Sequence, residues 1–138
     1  MLDQHKLKEK LTNMLVPYII GNNTAINGCI MSGGGIFIGN HSLICVNCFL
    51  EPLVSIGNHT VLGMGTSVSV CTHIGNNVRI GSNVNIGESS LIESLDIICD
   101  DAVLMQHVHI GQNTTIGEYS VICEGASIGA DCSSSRMS

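Results

Sequence analysis

Along this 138-residue chain an aliphatic residue returns at every sixth position. The row runs Ile20, Ile26, Ser32, Ile38, Ile44, Leu50, Ile56 and onward to Ile122 and Ile128. It counts nineteen positions, and Ser32 alone is not Ile, Leu or Val. A helix repeats its apolar face about every 3.6 residues and a strand about every second residue, so a sustained period of six marks neither alone. It marks a solenoid, in which each short repeat buries its apolar side by stacking on the next. The count is unbroken from Ile20 to Ile128, which predicts a prism with no inserted loop and no change of phase. Two places before the aliphatic residue the chain carries small or β-branched residues, such as Ser42, Thr60, Thr72, Val78 and Thr114. In a strand these point the same way as the aliphatic residue. Each hexad therefore reads as a short strand with two inward side chains and one outward between them. Eleven of the nineteen positions are followed by Gly, and the third place after is rich in Gly, Asn and Asp. Those residues best accept the left-handed backbone of a sharp corner.

This aliphatic–Gly–x–x–small–x pattern resembles the hexapeptide-repeat family over about residues 18–132. The resemblance implies an all-β fold: a left-handed parallel β-helix of triangular section, three hexads to a coil, about six coils in all. Residues 1–17 are set apart, because Leu7, Leu11 and Leu15 fall four apart before Pro17. They predict a short amphipathic helix that caps the open end of the prism. Residues 133–138 form a small polar tail. No apolar run reaches membrane-spanning length, and the lysines at 6, 8 and 10 argue against a targeting peptide.

Charge and cysteines narrow the partners. Beyond the helix only Arg79 and Arg136 stand against nine carboxylates, eight of them from Glu88 onward. That balance excludes nucleic acid and acidic lipid as expected partners. The seven cysteines are scattered over repeat positions, which fits small packing residues in a reduced, cytoplasmic protein.

Residues eighteen apart should stack about 4.8 Å apart in neighbouring coils. Outward residues then form three faces: one through Phe37, Ser55, His73, Leu91 and His109, a second through Leu43, Val61, Arg79 and Ile97, and a third through Met31, Phe49, Ser67 and Asn85. These are apolar enough to predict an interface, and the family resemblance implies a homotrimer of parallel prisms. His41 and His59 become stacked corner neighbours. Asp100 and Glu118 stack in one column, and Asp96 takes an inward position between Val78 and Thr114. A buried carboxylate there needs partners or a proton.

The stretch Ile86–Ile110 further resembles the sugar O/N-acyltransferases of the sialic-acid and bacillosamine type. Val108, His109 and Ile110 match one motif and Asp101 matches another, while Asp100 stands at the position of that family's catalytic His and Glu93 at that of an Asn. The resemblance implies transfer of an acetyl or other acyl group from acyl-CoA to a small sugar or amine acceptor, without a bound metal. It implies His109 or His107 as general base, oriented by Asp101 or Asp100 across a subunit boundary. Two other readings stay open. One is a non-catalytic homotrimeric scaffold. The other is a metal protein similar to γ-class carbonic anhydrases, suggested by Thr115–Asp131, with Glu118 and Cys123 where zinc-binding His residues are expected.

Overall fold

The computed structural model describes residues 18–134. The expected capping helix and the last residues of the tail lie outside them. Within this span the chain forms twenty strands of two or three residues. They line up as three parallel sheets of seven, seven and six strands. The first face includes Ile36–Ile38, Ser55–Ile56, His73–Ile74, Leu91–Ile92 and His109–Ile110; the second includes Val61–Leu62, Arg79–Ile80 and Ile97–Ile98; the third includes Phe49–Leu50, Ser67–Val68 and Asn85–Ile86. Consecutive strands always lie on different faces, and each pairs with the strand one coil on. Typical partners are eighteen residues apart, as in His73 with Leu91 and Ile74 with Ile92. The chain is a parallel β-helix of about six coils, three strands to a coil, as the hexads predict.

Three ladders hold the coils together. The main chain supplies the first: Phe37 N–H donates to the Val54 carbonyl at 2.9 Å, Val61 to Val78 at 2.9 Å, and Ile97 to Thr114 at 2.9 Å. The second is a column of hydroxyls at the inward small position before the second face. Thr60 Oγ1 donates to the Gly75 carbonyl at 2.8 Å and accepts from Val78 N–H at 3.3 Å. The third is a column of Asn caps at the corner between first and second faces, where Asn58 Oδ1 accepts from Asn40 N–H at 2.7 Å and Asn76 Oδ1 from Asn58 N–H at 2.8 Å. Between the ladders, the aliphatic row from Ile38 to Ile116 is fully buried. Burying one such side chain contributes about 1.5–3 kcal/mol.

Corners are left-handed at one residue per hexad. Asn, Asp and His occupy many of them, including Asn77 (φ 56°), Asp101 (φ 61°) and His107 (φ 59°). Leu53, Leu95 and Tyr119 also adopt positive φ, at 64°, 66° and 61°. A bulky side chain gains nothing from that conformation and pays its steric cost. Close stacking explains the glycines that precede the corners: a Cβ on Gly57 would lie 2.6 Å from the Gly75 carbonyl one coil on.

The expectation of an unbroken phase fails in the first coil. On the third face Ile30 pairs with Phe49 and Met31 with Leu50, a spacing of nineteen. Met31 thus packs toward the core while Ile30 is exposed, the reverse of the hexad count. The count returns to phase by Ile38, through the glycine-rich turn Ser32–Gly35, where Gly33 and Gly35 adopt φ of 79° and 75°. The cause is visible in the row itself: Ser32 cannot fill an aliphatic pocket, and shifting the strand by one lets Met31 fill it. Met31→Asp is therefore expected to lower unfolding free energy by about 2 kcal/mol, and Ile30→Asp by under about 0.5 kcal/mol. Urea unfolding of both variants checks this; the opposite order would restore the unshifted register.

Candidate functional site

The site begins with an exception. The residue after the aliphatic position on the first face is Gly21, Gly39, Gly57, Gly75, Glu93, Gly111 and Gly129 in successive coils. Glu93 is the one member with a side chain. At Gly21, Gly39 and Gly57 an Asn cap of the next coil fills the space a Cβ would need, at Gly75 Ser94 does, and at Gly111 the main chain around Ala130 does. The Asn column ends at Ser94, whose Oγ accepts from Asn76 N–H at 3.1 Å, and Gln112 follows in the coil after Glu93. Glu93 thus carries a side chain where the other coils of this column have none.

Glu93 uses this side chain to reach His109, one coil on. Its Oε2 bonds His109 Nε2. His109 itself sits outward on the first face, stacked on Leu91. The two side chains are 45% and 38% exposed, so the pair is open to a ligand and adds little to stability. A carboxylate accepts only, so it fixes the proton of the neutral ring on Nε2 and leaves the Nδ1 lone pair free. That is the arrangement of an oriented general base.

Beneath the same corner lies Asp96. It is fully buried, and its Oδ1 accepts from Thr114 N–H at 2.7 Å. Its Oδ2 has no hydrogen-bond partner. Loss of solvent raises its pKa to about 7; the Thr114 amide works against the rise and the charge of Glu93 adds to it. Leu95, with its strained φ of 66°, joins Glu93 to Asp96.

The remaining sequence-predicted residues are dispersed. His107 occupies the corner between third and first faces, and Asp101 the corner between second and third. Asp100 is tied up as a cap, its Oδ1 accepting from Ser82 N–H at 2.8 Å. Among the described residues neither aspartate bonds or pairs with His107 or His109. Asp100 also borders an open cleft of about 210 Å³ with Arg79, Gly81, Ile97, Cys99 and Glu118. Burial first, then Glu118 and Asp100, raise the Cys99 thiol pKa, so it is no activated nucleophile. His41 and His59 do stack, ring centres 5.0 Å apart. Among the described residues no three His, Cys, Asp or Glu side chains come together as a metal site, Glu118 and Cys123 included. No helix there is long and apolar enough to cross a membrane.

Sequence reasoning weighed His109 but not its partner. Glu93 entered only as a departure from an expected Asn. The signal that could have found it was the glycine column, in which it alone interrupts seven coils.

Neither a protein-family model nor a curated protein sequence matches the chain. Solved structures do. The acetyltransferase domain of PglB from Neisseria gonorrhoeae, in complex with acetyl coenzyme A, aligns with a TM-score of 0.80 at 16% identity. The alignment covers 91% of this chain and 60% of that one, so the chain spans about three-fifths of its length. A mutant of AntD, an N-acyltransferase from Bacillus cereus in complex with dTDP-4-amino-4,6-dideoxyglucose and coenzyme A, aligns with a TM-score of 0.61 at 18% identity, covering 91% of this chain and 81% of that one. A mutant perosamine N-acetyltransferase from Caulobacter crescentus, in complex with CoA and GDP-perosamine, gives 0.53 at 17% identity over 93% and 58%. At these identities the likeness establishes the hexapeptide-repeat fold.

Replacing Glu93 with Gly returns the column to its rule. The unfolding free energy of Glu93→Gly is expected to stay within about 0.5 kcal/mol of the parent, while the His109 ring resonances shift as the ring loses its partner. A large stability loss with unmoved ring signals would show that Glu93 serves packing and does not orient His109.

Proposed function

We propose that the chain is an acyltransferase that moves an acetyl or other acyl group from acyl-CoA to the amine or hydroxyl of a sugar acceptor. The observation that carries this reading is the His109–Glu93 pair, a solvent-open imidazole oriented by a carboxylate on a prism of this fold. The similar structures support it, since those named above hold acetyl-CoA or CoA and two of them an amino-sugar nucleotide. His109 Nδ1 takes the proton from the acceptor as its nitrogen or oxygen attacks the thioester carbonyl. Glu93 steadies the imidazolium that forms. The C–S bond then breaks, and the ring returns the proton to the departing thiolate. Arg79, the sole Lys or Arg among the described residues, and main-chain amides are the groups available to the phosphates of acyl-CoA.

This replaces the expected Asp100 and Asp101 orienters with Glu93 of the same chain, and it keeps His107 as the alternative base. A homotrimer of parallel prisms completes the reading, supported by the exposed Phe37, Leu91, Ile97 and Val121 on the three faces. The seven free thiols support a reducing compartment, the cytoplasm.

His109→Ala is expected to lower acetyl transfer from acetyl-CoA roughly 10²–10⁴-fold, with the melting temperature kept. Release of free CoA thiol with dTDP-, UDP- and GDP-linked amino sugars measures it. An unchanged rate in His109→Ala with a collapsed rate in His107→Ala would move the base to His107. No turnover and no thermal shift with acetyl-CoA in the parent chain would leave the scaffold reading. Light scattering on the eluting protein should give three times the chain mass of 14.5 kDa; a monomer would refute the trimer.

A further inference from the structure

The hydroxyl ladder before the second face runs Thr24, Ser42, Thr60, Val78, Asp96, Thr114 in successive coils. Its hydroxyl rungs have two duties. Each accepts from the amide eighteen residues on and donates to a glycine carbonyl fifteen residues on. Ser42 accepts from Thr60 N–H at 3.2 Å and donates to Gly57 O at 2.9 Å. Thr114 accepts from Cys132 N–H at 3.4 Å and donates to Gly129 O at 2.9 Å. Asp96 performs the first duty with Oδ1, accepting from Thr114 N–H at 2.7 Å. The carbonyl that answers to the second duty, fifteen residues on, belongs to Gly111. The buried Oδ2 is without a partner. A carboxylate has no proton to donate and would bury a charge beside a carbonyl dipole; a carboxylic acid meets both duties.

We propose that Asp96 is a neutral, proton-bearing rung of this ladder, its Oδ2–H donating to the Gly111 carbonyl, and that it is thereby the positioning residue that holds the Glu93 corner against His109. Glu93 and His109 are the titratable side chains that act on it, the first opposing its ionisation and the second, when protonated, favouring it. The corner between them is strained at Leu95, so it depends on the rung beneath. The catalytic importance of this rests on the acyltransferase reading; the protonation state of Asp96 does not.

The linkage has a definite sign. An unfolded Asp ionises near about 3.9, whereas folding raises Asp96 to about 7. Below about pH 4 both states hold the proton. Between about 4 and 7 the native state keeps a proton that the unfolded state has lost, so stability falls as pH rises through that interval and then levels off. Asp96→Asn removes this dependence while keeping one acceptor and one donor in place.

The test compares the full chain with Asp96→Asn and, as a second variant using the ladder's own residue, Asp96→Thr. The melting temperature of the parent should fall relative to either variant from about pH 4 to 7 and run parallel above. Infrared spectra of the parent near pH 6, where an ordinary Asp is ionised, should hold a protonated-carboxyl stretch that the variants lack. The pH dependence of the His109 ring signals should differ between parent and variants, because only in the parent does the buried group at position 96 change its charge. Parallel melting profiles from pH 4 to 7, or no protonated-carboxyl band near pH 6, would overturn the proposal. The infrared measurement needs no folded variant. Absence of acyl transfer with the band and the profile intact would count against the enzymatic reading alone.

Discussion

Every coil of this protein is bound to the next by main-chain hydrogen bonds running along the prism, from Phe37 to Val54, Val61 to Val78 and Ile97 to Thr114. That coupling is the constraint on which the rest depends. Buried amides and carbonyls must be paired, and strands of two or three residues have little else to hold them. The pairing fixes which residues lie over which, so each column must be filled by side chains that tolerate copies of themselves above and below. Glycine, asparagine and threonine columns are three solutions to that demand. Each lets its residues bond or clear the next coil without disturbing the spacing.

The candidate site is built by changing the occupants of those columns in one neighbourhood. Gly becomes Glu93, the hydroxyl rung becomes Asp96, and the Asn cap of the next coil becomes Gln112. Leu95 meanwhile takes a corner conformation suited to Asn or Gly. Each change alone breaks a local rule. Together they bring the Glu93 carboxylate within bonding reach of His109. No loop is needed, because the prism supplies rigid positions and the substitutions supply the chemistry. Local violations of consistency commonly gather where function is built.

The architecture was legible because period six is a direct image of the coil. Stacked His41 and His59, the shared face of His73 and His109, and the inward Asp96 all followed from counting by eighteen. Counting failed at Met31, where a missing aliphatic residue made a shifted strand cheaper than an empty pocket. It failed again at the His109 partner. Glu93 and His109 are sixteen residues apart, so they share no column, and a diagonal contact depends on side-chain reach that spacing does not encode. Asp100 shows a related limit of counting: its carboxylate oxygen does the work of an Asn cap, which its acidity did not suggest.

The carboxylates have a consequence for how copies of the molecule can meet. From Glu88 onward lie eight acidic residues and, to Ser134, no Lys or Arg; from Tyr18 to Gly87 lie only Glu51 and Arg79. The exposed Ile19, Ile30 and Phe37 lie in the opening coils. The prism is thus polarised in charge along its axis, nearly uncharged over the first coils and anionic over the last. Copies aligned in parallel would repel one another at the anionic end far more than at the other. Dissolved salt, which screens charge over about 8 Å at physiological strength, would then set how strongly that end resists a neighbour.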